Sequence, residues 1–270
     1  MKIKKLDHLS QIYNKYDAFL IDLWGVMHNG IRLNASAMNV VQELEKQGKR
    51  IVFLSNAPRS SRKVIEFLKK LKMDEKFLKN VFTSGEATIE SLKKNKFGKK
   101  FYHLGPERDD SLFSGIKINK TSLDKCDFIL CTGLFDDKED DLGYYKDLLK
   151  NFTNKKFVCT NPDLIVHRGG EEEYCAGKIA EIFENLGGDV VYFGKPHKEV
   201  YLSCLKKNQK TLVIGDNLKT DIKGANNMNL DSVFITGGIY KSKIENENLM
   251  KKLFKENSVL ANYYQNELTW

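Results

Sequence analysis

Short apolar runs that stop abruptly at small or polar residues recur along this chain, and they restrict the folds it can adopt. Four such runs are residues 19–21 before Asp22, 51–54 before Ser55, 212–214 before Gly215-Asp216, and 233–235 before Thr236. Runs of this kind are typical of strands buried on both faces of a sheet. Segments with helical periodicity, including 36–47 and 61–71, lie between them. The alternation predicts an α/β fold with a parallel sheet and right-handed crossovers.

The middle of the chain repeats this alternation and predicts a second unit. Residues 101–104, 128–131 and 157–160 have the pattern of strands, and 144–151 and 176–186 that of helices. Gly85 and Gly187-Gly188 are candidate hinges, because glycine adopts backbone conformations that other residues avoid. We therefore predict one domain from residues 1–84 and 191–270 and an inserted domain at 85–190. From Lys241 onward the pattern predicts a final surface helix.

The composition indicates where this soluble protein is located and which classes of partner it does not bind. The net charge is +8, but the lysines are spread along the chain, so we expect no nucleic-acid partner; attraction of small anions or a Lys-rich composition explains the charge. The five cysteines form no CxxC pair, which predicts a reduced, cytoplasmic location. No run approaches the roughly 20 apolar residues that span a bilayer. We therefore expect no membrane partner, and we see no signal peptide at the N-terminus.

Polar residues at the strand ends are the candidate functional residues. In parallel α/β sheets, ligands bind beyond the carboxyl ends of the strands, and Asp22, Ser55, Asn56 and Asp216 fall there. Each alone could be an ordinary turn residue, whereas the set indicates a site. Asp22 is followed closely by Gly25, which lets the chain turn sharply, and this position suits a carboxylate nucleophile.

The same strand ends offer groups for phosphate and for a metal ion. The Ser55 hydroxyl and a free backbone N–H in the Ser55-Asn56 pair could hold phosphate oxygens. Lys195, in a Gly-Lys-Pro segment, supplies a cation that could neutralise both a nucleophile and a transferring group. Asp216 and Asp221 add two carboxylates around one strand end, and such hard oxygen ligands suit Mg²⁺.

The order of these residues resembles a known family. Asp22, Ser55, Lys195 and the segment Gly215-Asp216-x-x-x-Thr220-Asp221 follow one another as the motifs of the haloacid dehalogenase superfamily do. The long separation of Ser55 from Lys195 is similar to that in the class IIA, NagD-type branch. Further similarities to that branch are the segments 83–85, 160–163 and 192–197. The resemblance therefore covers most of the chain.

This resemblance implies a fold and an activity. The fold would be a Rossmann-like doubly wound parallel sheet core with an inserted α/β cap domain of type C2. Asp22 would attack the phosphoryl group of a small phosphorylated metabolite and form an aspartyl-phosphate. Ser55, Asn56 and Lys195 would hold the phosphate. Proteins of this branch are often dimers through the cap, so the resemblance also implies a homodimer.

Position 24 departs from the family pattern. The resemblance implies that Mg²⁺ would bind Asp22, the backbone oxygen of Trp24 and Asp216, with Asp221 one layer further out, so the side chain at 24 need not affect the metal. Phosphatases of this family carry an Asp at this position as general acid and base, a role worth about 10²–10⁴-fold in rate. The indole of Trp24 donates an N–H but is no useful acid or base, and we interpret it as filling space.

Three interpretations of this departure remain open. One is a phosphatase for leaving groups that need little protonation, and another is a phosphatase that recruits a different residue, such as His28. The third is a protein that binds phosphorylated ligands, with a regulatory role and poor turnover. Dehalogenase and phosphonatase branches also lack this Asp, but their caps differ. We favour a weak or selective phosphohydrolase, with the binding or regulatory protein as the alternative.

Five further residues are candidates for contact with substrate: His28, Arg59, Asp163, His167 and Arg168. His28 is close to Asp22 along the chain, and Arg59 follows Ser55 and could hold an anion bidentately. The other three follow the turn at 160–162, which faces the core in caps of this type. For each residue the alternative is ordinary polarity of a turn, loop or surface.

Overall fold

The structure is a computed structural model, and it describes residues 3–113, 116, 119–168 and 171–270. The chain forms two compact units. The first unit comprises residues 3–55, Ile65–Phe82 and Lys195–Trp270, and the second comprises Asn56–Val64 and the described part of Thr83–Gly194. The sequence predicts boundaries near 84 and 190; the chain crosses between units at 82/83 and 194/195, and the second unit also takes in 56–64.

The first unit is built on one sheet. Its strands among the described residues are β1 (Lys4–Lys5), β2 (Ala18–Ile21), β3 (Arg50–Ser55), β4 (Val81–Thr83), β12 (Thr211–Gly215), β13 (Asp231–Ile235) and β14 (Tyr263–Gln265). They lie in the order β1-β14-β13-β12-β2-β3-β4. Ile21 pairs in parallel with Phe53 on one side and with Ile214 on the other. The carboxyl ends of β2, β3 and β12 therefore share one edge of the sheet.

The second unit contains a smaller parallel sheet and a hairpin. Its sheet strands among the described residues are β5 (Lys100–Leu104), β6 (Asn119–Lys120), β7 (Phe128–Cys131), β8 (Lys156–Cys159) and β11 (Asp189–Tyr192), in the order β11-β8-β7-β5-β6. The hairpin pairs β9 (Ile165–Arg168) with β10 (Glu171–Tyr174) in antiparallel register.

Helices follow the strands, and short polar side chains start several of them. The α-helices of the described residues are α1 (Ala35–Lys46), α2 (Ser61–Lys70), α3 (Glu75–Leu78), α4 (Ser84–Lys93), α5 (Leu142–Leu149), α6 (Ala176–Asn185), α7 (Lys198–Cys204), α8 (Lys223–Asn227) and α9 (Glu247–Glu256). The side chains of Asn34, Thr83 and Asp141 accept hydrogen bonds from backbone N–H groups in the first turns of α1, α4 and α5. Such caps satisfy donors that a helix leaves unpaired.

Burial explains why the apolar runs became strands. Every residue of β2, β7 and β12 is buried, which is typical of central parallel strands covered on both faces. The predicted α/β fold with parallel sheets is confirmed. The predicted final helix is α9, but β14 follows it and pairs with β13 and β1. Three residues are too few for a sequence pattern to reveal this strand.

Short helical turns complete the description. They are the 3₁₀ turns Leu9–Gln11, Tyr13–Lys15, Glu107–Phe113 and Lys241–Lys243, and a π-helical turn, Leu218–Ile222, directly before α8. None of the helices that the structure describes combines the length and the apolar content needed to cross a bilayer.

Candidate active site

Asp22 is held at the carboxyl end of β2. Its backbone N–H donates to the carbonyl oxygen of Ile214 at 2.9 Å, which extends the pairing of β2 with β12 by one residue. Gly25 follows with a φ of 89°, a left-handed conformation that favours glycine. Asp22 is only 7% exposed. The first strand of the predicted site therefore ends in a buried carboxylate.

Two more carboxylates approach Asp22 from the end of β12. Asp22, Asp216 and Asp221 each offer a carboxylate oxygen, and these atoms lie within 4.8 Å of one another. Oδ2 of Asp216 accepts a hydrogen bond from the N–H of Ile239 at 2.8 Å, and Oδ2 of Asp221 accepts one from the N–H of Asn217 at 3.1 Å. Backbone donors thus fix the orientation of two of the three carboxylates.

Glycines leave room for this cluster. A Cβ on Gly25 or on Gly238 would lie 2.0 Å from Oδ2 of Asp216, and a Cβ on Gly215 would lie 2.1 Å from Cγ of Asp221. Sequence reasoning assigned Gly25 to a turn and gave Gly238 no role in the site. The Gly237-Gly238 pair directly after the β13 run was the signal that could have revealed it, because backbone must approach closely there.

Lys195 supplies a positive charge to two of the carboxylates. Its Nζ donates to Oδ1 of Asp221 at 2.7 Å and also contacts Oδ1 of Asp22. Lys195 is 3% exposed, so the ammonium group and its partners are shielded from water. Both oxygens of Asp221 therefore accept hydrogen bonds, one from the Lys195 ammonium and one from the backbone at Asn217.

The electrostatics of the cluster suit a divalent cation. Burial raises the pKa of Asp22 well above its usual range; Lys195 opposes this shift, and Asp221 and Asp216 raise the pKa further. Three ionised carboxylates with one lysine leave surplus negative charge in a buried space, and such charge is costly unless it is neutralised. Mg²⁺ prefers carboxylate oxygens and needs only one or two of them. The donors present therefore fit this ion.

Trp24 and His28 form a small aromatic cluster beside Asp22. Their rings meet edge to face at 5.2 Å, and His28 meets Phe67 in the same way at 5.5 Å. Nδ1 of His28 accepts a hydrogen bond from the N–H of Gly30 at 3.1 Å. Burial lowers the pKa of His28 to about 4. His28 is therefore a buried, neutral histidine rather than a residue of a solvent-facing turn.

Two family models match the chain, one in its first half and one near its C-terminal end. Residues 19–119 match the haloacid dehalogenase-like hydrolase model, and residues 192–262 match a HAD-hydrolase-like model. The matched stretches contain Asp22, Ser55, Lys195, Asp216 and Asp221. The chain belongs to the haloacid dehalogenase-like hydrolases. The resemblance that the strand-end residues indicated is thereby confirmed.

Two curated relatives and one solved structure are also similar to this chain. The ribonucleotide monophosphatase NagD of Escherichia coli (strain K12) is 32% identical over 88 residues, 31% of this chain and 34% of the relative. The dihydroxyacetone phosphatase of Corynebacterium glutamicum (strain R) is 29% identical over 89 residues, 31% of this chain and 32% of the relative. This chain therefore matches about a third of the length of these curated relatives. A haloacid dehalogenase-like hydrolase structure from Brucella suis 1330 has a TM-score of 0.85 at 28% identity and covers 98% of this chain and 100% of its own.

Several predicted contact residues of this haloacid dehalogenase-like chain belong to the second unit. Nδ2 of Asn56 donates to Oδ1 of Asp163 at 3.2 Å, and Nε of Arg59 donates to Oδ1 of Asp109 at 3.3 Å. The side chains of His167 and Arg168 lie outside the described part of the structure, although their backbone belongs to β9. Ser55, at the end of β3, is 7% exposed and belongs to the first unit with the three carboxylates.

Proposed function

We propose that this chain is a Mg²⁺-dependent phosphohydrolase that acts on a small phosphorylated metabolite through an aspartyl-phosphate at Asp22. One observation supports the proposal most directly. The carboxylate oxygens of Asp22, Asp216 and Asp221 lie within 4.8 Å of one another, and Lys195 contacts two of these side chains. A nucleophile, oxygen ligands for a metal ion and a phosphate-neutralising cation are the parts that this chemistry needs.

In the proposed reaction, an oxygen of Asp22 attacks phosphorus and the bond from phosphorus to the leaving oxygen breaks. Lys195 favours the ionised form of Asp22 against the effect of burial and faces the charge on the transferring group. Ser55 lies at the end of the neighbouring strand and is proposed to donate to a phosphate oxygen. A bound Mg²⁺, held by Asp22, Asp216 and the backbone oxygen of Trp24, would neutralise charge on the phosphate. Water then attacks phosphorus and the bond to Asp22 breaks, which gives inorganic phosphate and the free carboxylate; the leaving oxygen takes a proton from solvent and the attacking water gives one up to solvent.

Asp221 has a positioning role in this proposal. One of its oxygens accepts from Lys195 and the other from the backbone N–H of Asn217. These bonds fix the lysine ammonium beside Asp22. Groups that orient the residues around a metal affect activity nearly as much as the ligands themselves.

The substrate class follows from the names of the relatives and from the charge of the site. NagD is named a ribonucleotide monophosphatase, and the relative from Corynebacterium glutamicum is named a dihydroxyacetone phosphatase. Both act on phosphate esters of small molecules, which supports the same class of substrate here. All five cysteines are buried free thiols, which is compatible with the reducing, cytoplasmic location that we propose.

Hydrolysis of p-nitrophenyl phosphate with and without Mg²⁺ tests the proposal. We expect turnover that EDTA abolishes and that Asp22→Asn reduces by at least about 10³-fold, because the amide is a poor nucleophile. An aspartyl-phosphate should be trapped on the native protein by acid quenching with labelled substrate. Turnover that survives Asp22→Asn would remove the nucleophile assignment, and binding of phosphate without turnover would favour the second candidate.

The second candidate is a protein that binds phosphorylated ligands and turns them over poorly. It is favoured by Trp24, which stands where a general acid and base would be needed and packs against His28. Under this candidate even good leaving groups should react slowly. Under the first, p-nitrophenyl phosphate, whose leaving group departs as a stable anion, should react at least about 10²-fold faster than an alkyl phosphate.

The Trp24→Asp variant separates the two candidates further. If the missing proton donor limits the rate, this change should increase hydrolysis of an alkyl phosphate, while p-nitrophenyl phosphate gains little. The comparison of the two substrates within one variant controls for any loss of packing at position 24. An unchanged rate for both substrates, with Mg²⁺ still bound, would assign Trp24 to a different mechanism.

A further inference from the structure

A cleft of about 430 Å³ lies in the first unit, away from the carboxylate cluster. Its wall contains the amino-terminal half of β3, the segment from α3 into β4, and the end of α7. Ser55, by contrast, is the last residue of β3. A strand of this length spans about 17 Å, and neither Asp22 nor Lys195 lines the cleft. The cleft is therefore separate from the proposed catalytic site.

The charged residues that line the cleft are mostly cations. Four of them are basic, and one, Glu45, is acidic; the basic residues are Lys49, Arg50, Lys76 and Lys79. Lys76 pairs with Glu45 at 2.7 Å, and Nζ of Lys49 donates to the backbone oxygen of Tyr16 at 2.7 Å. Among the described residues, the side chains of Lys79 and Arg50 form no ion pair. The cleft therefore has an excess of positive charge.

Arg50 adds an observation that points to a ligand. Its Nη1 is buried and has no hydrogen-bond partner among the described residues. A buried donor without a partner costs free energy, more so when it is charged. The planar guanidinium group matches phosphate and carboxylate oxygens in a two-pronged geometry. Because Arg50 lines the cleft, a turn of its side chain towards the cleft would let an anionic ligand there satisfy this donor.

Apolar side chains form part of the wall but offer a ligand little surface. Phe77, Ile51 and Val81 line the cleft and are only 1%, 6% and 7% exposed, so charged and polar side chains give a ligand most of its contacts. The volume lies within the range of pockets for small molecules.

From these observations we infer that the cleft between β3, β4 and α3 is a second binding site, for a small phosphorylated molecule. Arg50 and Lys79 contact the phosphate. The inference does not depend on the proposed phosphatase activity, because no residue of the cleft takes part in that chemistry.

Calorimetric titration of the full chain with ADP, at about 50 mM salt and with EDTA present, tests the inference. Arg50→Gln and Lys79→Gln should each weaken ADP binding by about tenfold or more, as expected for the loss of a charge-assisted hydrogen bond. Lys255→Gln in α9 is the matched control, since it removes the same charge from an exposed helix outside the cleft and should change the affinity less than twofold. Adenosine, which lacks phosphate, should bind at least about tenfold more weakly than ADP.

Two further measurements distinguish the cleft from the proposed catalytic site. Hydrolysis of p-nitrophenyl phosphate should be unchanged in both cleft variants, and thermal unfolding should show that they fold. If Arg50→Gln does not fold, Lys79→Gln with its Lys255 control decides the question. The inference is overturned if ADP fails to bind at millimolar concentration, if both cleft variants bind it as tightly as the native chain, or if adenosine binds equally well.

Discussion

The sheets of the two units are both built from parallel strands, but the residues that follow those strands differ in charge. In the first unit the strand ends carry Asp22 and Asp216, with Lys195 buried beside them. In the second unit β7 is followed by Thr132 and β8 by Thr160, both uncharged and both buried. The Thr160 hydroxyl donates to the backbone oxygen of Cys131 at 3.0 Å, so its polarity is satisfied locally.

The difference shows how one architecture can carry carboxylates directly after the strands in one unit and uncharged threonines in the other. Parallel strands bring their carboxyl ends together in both sheets. The Thr160 hydroxyl needs only neighbouring backbone and the Thr132 hydroxyl contacts the His103 ring, whereas three carboxylates and one lysine remain electrostatically incomplete without a further cation. Chemistry therefore depends on the residue types at the edge and not on the fold itself.

The largest effect is expected from Lys195→Met. Removing the ammonium leaves Asp22 and Asp221 buried without the cation that contacts them, and breaking such a pair typically costs about 3–5 kcal/mol. Urea denaturation in EDTA should show this loss in the free energy of unfolding. Thr160→Val, the control from the second unit, should cost only about 1 kcal/mol. Equal losses of unfolding free energy in the two variants would mean that the strand ends of the two units do not differ in their dependence on a buried cation.

A smaller effect on activity is expected from Gly238→Ala. The new Cβ would lie 2.0 Å from Oδ2 of Asp216 and must displace that carboxylate, so kcat/KM should fall by about 10–100-fold. Gly133→Ala is the matched change after β7, where the Cβ would meet Cδ of Pro106 at an ordinary 3.4 Å. That variant should keep its activity within about twofold. A Gly238→Ala variant with native activity would show that Asp216 is free to move.

Lowering the pH should destabilise the second unit, because His103 is buried there. Burial lowers the pKa of His103 to about 4, and the attraction of Asp110 at 2.8 Å only partly offsets this because that carboxylate is half exposed. The unfolded chain, with a pKa of about 6.5, binds the proton first, so stability falls as the pH drops from about 6.5 towards about 4.

Urea denaturation at two pH values measures this effect. Between about pH 7 and about pH 5, the native chain should lose about 2 kcal/mol more stability than His103→Asn. A His103→Asn variant as acid-sensitive as the native chain would contradict the assignment of the shift to burial.

The smallest effects are expected from substitutions of two buried tyrosines, one in each unit. The hydroxyl of Tyr201 in α7 is buried with no partner among the described residues, whereas that of Tyr145 in α5 accepts the N–H of Phe135 at 2.7 Å. Tyr201→Phe should be neutral or stabilising, and Tyr145→Phe should cost about 1 kcal/mol, because it orphans a backbone donor. Thermal or urea unfolding of the pair decides this. A loss at Tyr201 as large as that at Tyr145 would indicate that its hydroxyl has a partner.

Sequence patterns predicted those parts of the site that depend on strand position. The apolar runs before Asp22, Ser55 and Asp216 become β2, β3 and β12, and their polar residues follow at one edge of the sheet. An apolar run is enough to predict each of these strands, because a parallel strand covered on both faces must be apolar along its length.

The sequence patterns did not predict the contacts that depend on how separate segments pack against one another. The approach of Gly238 to Asp216 and the burial of His28 against Trp24 depend on how loops from different strands meet. The strands β1 and β14 were missed for a related reason, since they are very short and pair across nearly the whole chain. The cleft at Arg50 likewise brings together segments that are distant in sequence.

The close approach of Gly30 to Trp24 has a consequence for protein engineering. A Cβ at position 30 would lie 2.8 Å from Cη2 of the indole, so the two positions compete for the same volume. A smaller side chain at position 24 would vacate that volume. The backbone at position 30 has a φ of 85°, which disfavours most replacements of Gly30 except asparagine and aspartate. A library that seeks a faster enzyme should therefore vary these two codons together, with carboxyl-bearing choices at 24 and asparagine or aspartate at 30.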